Sequence, residues 1–194
     1  MPHDAAAIAQ WLLTNAGWNP ERQIDPSPLL AWYQTHGYTL WPEADLFVRS
    51  FGMLQLDTSA YSEQHLPPEA VPTREPITPI RFRWWRHGRA FAVHLHPESI
   101  PDLPTAMQVW STSRLVQPRD RALPLGTCRT PLSPYQRPLF LHRQYGLLLE
   151  NPGYRNKRPF PLFQAYGTSM LELLTIIVRQ CAIYEWTKDA WPYS

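Results

Sequence analysis

In the first fifty residues the apolar positions recur at helical spacing. Ala5, Ile8, Ala9, Leu12, Leu13 and Ala16 predict a helix that Asp4 caps and Gly17 stops. A turn-rich link, Gly17 to Asp25, follows. Ser27-Pro28 then sets a cap residue before a proline in the first helical turn. That second helix carries Leu29, Leu30, Trp32 and Tyr33 and stops at Gly37. A third starts near Pro42, turns Ala44, Phe47, Val48 and Phe51 inward, and stops at Gly52. All three end at a glycine.

Beyond Gly52 the period changes to two. Met53 to Leu56 reads as a short strand, and residues 57–79, with five prolines, as a loop. Ile80 to Arg86 and Arg89 to Leu95 flank His87-Gly88, a two-residue hairpin turn. That register pairs Trp84 with Phe91, Phe82 with Val93 and Ile80 with Leu95 on one face. Arg81, Arg83, Trp85, Ala90, Ala92 and His94 take the other, and Arg86 faces Arg89 beside the turn. The stretch 97–138 is again proline-rich, with a candidate strand at Met107 to Trp110. Leu139 to His142 and Leu147 to Leu149 form a second hairpin around Arg143 to Gly146. Phe160 to Tyr166 is a candidate edge strand. The last helix opens at Ser169, where Ser169 and Glu172 have capping-box spacing. It presents Leu171, Leu174, Ile177 and Val178 and ends near Ala182, and the aromatic tail from Glu185 to Ser194 is expected to pack back on the body. Helices, then hairpin-linked strands, then a helix predict an α+β fold. Its mainly antiparallel sheet is flanked by N-terminal helices and a C-terminal helix.

Composition alters this picture in a few places. A length of 194 residues suits one domain spanning 1–194. The 22 prolines, about twice the usual ~5% share, explain the irregular stretches around 57–79 and 97–138. A net charge of +2 is small for a binder of duplex nucleic acid. The N-terminus lacks the pattern of a secretory signal. Met170 to Val178, the most apolar run, is too short to span a bilayer. Cys128 and Cys181 read as small buried hydrophobes. The expectation is a soluble cytoplasmic protein.

Candidate chemistry is sparse. His94-x-His96 places two imidazoles on one strand face, half of a zinc site. A third and fourth ligand are not evident; His65 and His87 qualify by type alone, and Arg81 would face His94. Two surface histidines are the plainer reading. No nucleophile elbow, phosphate loop or HExxH pattern occurs, so the sequence offers no catalytic residues and no cofactor site. Arg81, Arg83, Trp85, Arg86 and Arg89, with His94, form a basic-aromatic face. An ordinary sheet face covered by loops is the plainest reading; a protein partner comes next, and a single-stranded nucleic acid last.

One string carries more. Gly17-Trp18, then Pro20, Arg22 and Asp25, resembles the opening signature of the third SUKH subfamily of bacterial immunity proteins. His36-Gly37-Tyr38, Phe51-Gly52, Pro124-Leu125-Gly126, Gly146, and Gly167 before Glu172 fall in the family's order. The similarity is dense over residues 5–56 and sparse over 123–178. The family usually has a second small residue after Phe-Gly, where this chain has Met53. The resemblance implies the same α+β fold and neutralisation of a cognate polymorphic toxin by direct binding, without catalysis. It implies a toxin domain as partner, encoded by an adjacent gene, and no membrane. A general protein- or peptide-binding regulatory module on the same fold is the alternative. Gly17, Trp18, Pro20, Arg22 and Asp25 read as mainly structural: the glycine ends a helix, Trp18 packs, and Arg22 and Asp25 pair.

Overall fold

Residues 5–58, 91–101, 121–130, 133–150 and 163–179 are described by the computed structural model of the chain. The early helical spacing becomes α1 (Ala5–Asn15), α2 (Ser27–Thr35) and α3 (Pro42–Phe51). A fourth helix, α4, covers residues 170–179. Between them run β1 (Gln55–Asp57), β2 (Ala92–His94), β3 (Ala122–Thr130), β4 (Ser133–His142), β5 (Gly146–Glu150) and β6 (Phe163–Ala165). These strands form one sheet, antiparallel at every pairing, whose spatial order is the order of the sequence. The architecture is the expected α+β one, an antiparallel sheet with N-terminal helices and a C-terminal helix.

The helices share one core with the sheet. Ile8, Leu12 and Leu13 of α1, Leu29 and Tyr33 of α2, Ala44 and Val48 of α3, and Met170, Leu173, Leu174 and Ile177 of α4 join it. The sheet adds Leu56, Val93, Cys128, Leu139, Leu141, Leu147 and Leu149, as side chains alternating along the strands must. In α4, Met170 and Leu173 are fully buried and Leu171 only partly, so the inward stripe is broader than the sequence pattern suggested. The opposite face of β4 to β6 is also apolar, with Phe140 and Phe163 in edge-to-face contact at 5.4 Å.

β3 contains the sheet's main irregularity. Pro124 opposes Phe140 and Gly126 opposes Leu139, so Leu125 is an extra residue in a bulge. The alternation shifts there, and Cys128 rather than Thr127 continues the core face. Gly126 has φ +147, and a side chain on it would collide with the backbone carbonyl of His94. The bulge thus lets β3 press against β2. Its free carbonyl, Pro124 O, accepts a 2.7 Å hydrogen bond from the buried Tyr33 hydroxyl of α2.

Several expectations change. Val93, expected opposite Phe82, is paired elsewhere: a strand has two edges, and β2 uses both. Val93 pairs with Leu56 of β1 on one side and with Cys128 of β3 on the other. Leu95, expected opposite Ile80, exchanges hydrogen bonds with Met53 and Leu54 instead. The stretch 97–138 is not wholly irregular, since β3 and the start of β4 lie in it. Two of its prolines fall where the ladder tolerates them: Pro124 at the bulge, and Pro138 just outside the β4–β5 pairing, which runs to Leu139. The hairpin at 139–149 forms with Leu139 opposite Leu149 and Leu141 opposite Leu147, and β6 takes the sheet edge. Residues 80–90, Met107 to Trp110, Asp4 and the tail from Glu185 lie outside the described residues.

Candidate functional site

The Gly17 to Asp25 string runs to the C-terminal end of α3 and supplies donors to it. The last four carbonyls of a helix have no partner within it. Here Ile24 N–H donates to Arg49 O at 3.0 Å. The Arg22 guanidinium donates through one nitrogen to Ser50 O at 2.6 Å and through the other to Gly52 O at 3.0 Å. Gly52 and Leu54 N–H close on Val48 O and Phe51 O. Every backbone carbonyl from Val48 to Gly52 is thereby matched. A cation at this place also complements the negative end of the helix dipole. Partial burial pulls the Arg22 pKa down, and the group stays charged. Trp18 completes the clamp: its indole N–H reaches Ser50 Oγ at 3.2 Å, and its ring stacks on Phe51 at 5.5 Å.

Arg22 and Asp25 do not pair with each other. The Asp25 carboxylate accepts from the Ser27 backbone N–H at 3.0 Å and the Ser27 hydroxyl at 2.6 Å, which lowers its pKa. Ser27 lies within α2 rather than capping it, and Pro26 occupies the cap position. Asp25 therefore holds the first turn of α2 while Arg22 holds the last turn of α3.

The end of α3 also departs from the glycine stops of α1 and α2. Gly17 and Gly37 have φ +88 and +74 and close the usual double hydrogen-bonded helix end. Gly52 is extended, at φ −52 and ψ 148. It is glycine because a side chain would meet Val48 O and the side chains of Leu29 and Ile24. The left-handed conformation moves to Met53, at φ +59, the one non-glycine residue so placed among those described. That costs about 1 kcal/mol or more relative to glycine. Met53 is also 49% exposed, so its side chain returns little packing.

Two nominated groups are partly visible. Arg81, Arg83, Trp85, Arg86 and Arg89 lie outside the described residues. His94 is half-buried on the sheet face away from the helices, between Gln55 and Thr127 of the adjacent strands. His96 lies 3.9 Å from the Glu98 carboxylate. Among the described residues no group of three or more His, Cys, Asp or Glu side chains is placed to hold a metal ion. Cys128 is fully buried, and desolvation pushes its thiol up to about 12, which keeps it protonated and unreactive at neutral pH. No helix among the described residues is long and apolar enough to cross a membrane.

Sequence reasoning did not find the polar role of Tyr33, the buried Arg137, which donates to Thr130 Oγ1 at 3.0 Å, or the exposed Leu46 and Met53. For Leu46 a signal was present, because it falls outside the inward set Ala44, Phe47, Val48 and Phe51. For Met53 the signal was a large residue where the family has a small one.

Neither the curated proteins nor the solved structures contain a match to the chain. A family model does match: residues 6–99 correspond to the family described as SUKH-3 immunity protein, a span that holds α1 to α3, the clamp, β1 and β2. Over that span the chain is similar to the SUKH-3 family of immunity proteins.

Proposed function

We propose that this protein binds a cognate polymorphic bacterial toxin in the cytoplasm and neutralises it by direct contact, without catalysis. The observation that carries the reading is the match of residues 6–99 to the SUKH-3 immunity family. The geometry of that span supports a binding role. A helix end whose carbonyls are all matched, and whose Trp and Arg are locked by packing and hydrogen bonds, holds its surface in one conformation before a partner arrives. Such pre-organisation lowers the entropic cost of association.

The partner on this reading is a toxin domain encoded by an adjacent gene. The test is co-expression of the two products, followed by a growth assay and co-purification. Rescue of growth with a stable one-to-one complex supports the proposal. Growth arrest with no complex overturns that pairing and leaves a general protein- or peptide-binding module on the same fold as the better reading.

A further inference from the structure

Three large hydrophobic side chains are exposed among the described residues; one lies midway along α3 and another just past its end. Leu46 is 62% exposed on the helix and Met53 49% exposed just beyond it. Between them in the chain lie Phe47 and Phe51, half-buried and 4.9 Å apart, with Trp18 stacked on Phe51. Resting on the immunity reading, we propose that this surface, centred on Leu46 and Met53 and bordered by Glu43, is where a basic toxin domain docks.

Two observations carry this. The first is Met53. A left-handed backbone opposes folding, and so does an exposed apolar side chain; Met53 combines them. Its N–H bonds Leu95 O at 2.8 Å, a bond that glycine would make without the strain, so the choice of methionine points to a partner outside the chain. Methionine also adapts its shape to a facing surface. The second is charge. Among the described residues, 5–58 hold five carboxylates against two arginines, while the remainder hold three against five. Both arginines of that span are engaged internally, Arg22 on carbonyls and Arg49 on Asp45 at 2.8 Å. Glu21, Asp25 and Glu43 are exposed. Residues 5–58 are thus the acidic part of the described chain, and they complement a basic partner.

The test measures affinity and association rate for the toxin domain identified by co-expression, at low and high salt, using the full chain. Leu46→Asp should weaken binding on the order of tenfold or more, as for a central anchor. Met53→Gly relieves the strain, so it should raise the melting temperature and yet weaken binding; a purely structural role for Met53 would not separate the two. Glu43→Lys should slow association several-fold at low salt, with the effect fading at high salt. Wild-type binding by Leu46→Asp and Met53→Gly, with loss of binding in an Arg83→Glu/Trp85→Ala variant, overturns the proposal and moves the interface to residues 81–89. If the unmutated chain does not bind the toxin domain, the immunity reading fails and takes this inference with it.

Discussion

Replacing Arg22 tests whether the clamp stabilises the fold. Arg22→Met keeps the apolar stem and removes the fork that bridges Ser50 O and Gly52 O. A hydrogen bond involving a charged group contributes about 1.5–3 kcal/mol. The side chain is half-exposed, so water can reach the freed carbonyls, and the lower end of that range applies to each. The expected loss is about 3 kcal/mol. In a chain of this size that lowers the melting temperature by roughly 6–12 °C. Arg22→Lys should recover about half, since an ammonium is a point donor and does not reproduce the planar fork. Urea denaturation followed by tryptophan fluorescence gives the number, and the m-value should not change. A stability of Arg22→Met within about 0.5 kcal/mol of the unmutated chain would refute the reasoning. It would mean that water serves the end of α3 as well as the guanidinium does.

Other outcomes are expected from the same geometry. Tyr33→Phe leaves Pro124 O without its donor in the interior and should cost about 1–3 kcal/mol in a denaturant titration. Gly126→Ala forces a side chain into the His94 carbonyl at a positive φ, and should cost more than about 4 kcal/mol or leave no folded protein by circular dichroism. His142 Nδ1 accepts the backbone N–H of Gln144 at 3.0 Å and of Tyr145 at 3.2 Å, which requires a ring nitrogen without a proton. Burial, and then the nearby Arg121, lower its pKa below the unfolded value. The unfolded chain therefore takes up the proton first: the stabilisation is complete above about pH 6.5, and declines as pH falls through the folded pKa. Asparagine places an uncharged acceptor near the position of Nδ1, so His142→Asn should keep the turn and flatten that dependence. Stability profiles with the same slope between pH 7 and 5 would contradict this.

What the sequence revealed follows the range of the interactions involved. The helices α1 to α3 and the hairpin at 139–149 were legible because spacing, prolines and turn residues act over a few positions. The partners of β2 were not, because Leu56 and Cys128 lie far from Val93 in sequence and the His87-Gly88 turn signal is purely local. Pro124 and Pro138 argued for irregular chain, when their sites at a bulge and beyond the end of a ladder make them compatible with strands. The string Gly17 to Asp25 was visible as a motif, but its target was hidden: Arg22 bonds residues 28 and 30 positions away. Local reasoning therefore paired Arg22 with Asp25, the nearest opposite charge. The exposed surface at Leu46 and Met53 became legible only once the inward faces had been placed.

The strand order of the sheet bears on how such a chain can change length. Among the described residues each strand lies beside its neighbours in sequence. Residues 58–91 separate β1 from β2, and residues 95–121 separate β2 from β3. Closing a longer connection is entropically mild, about 0.6 kcal/mol for each doubling. Insertions at those two points need not alter the register of Leu56, Val93 and Cys128 or the packing of the helices on them. A lineage under pressure to change partners can therefore vary these segments widely while its core remains a fixed frame.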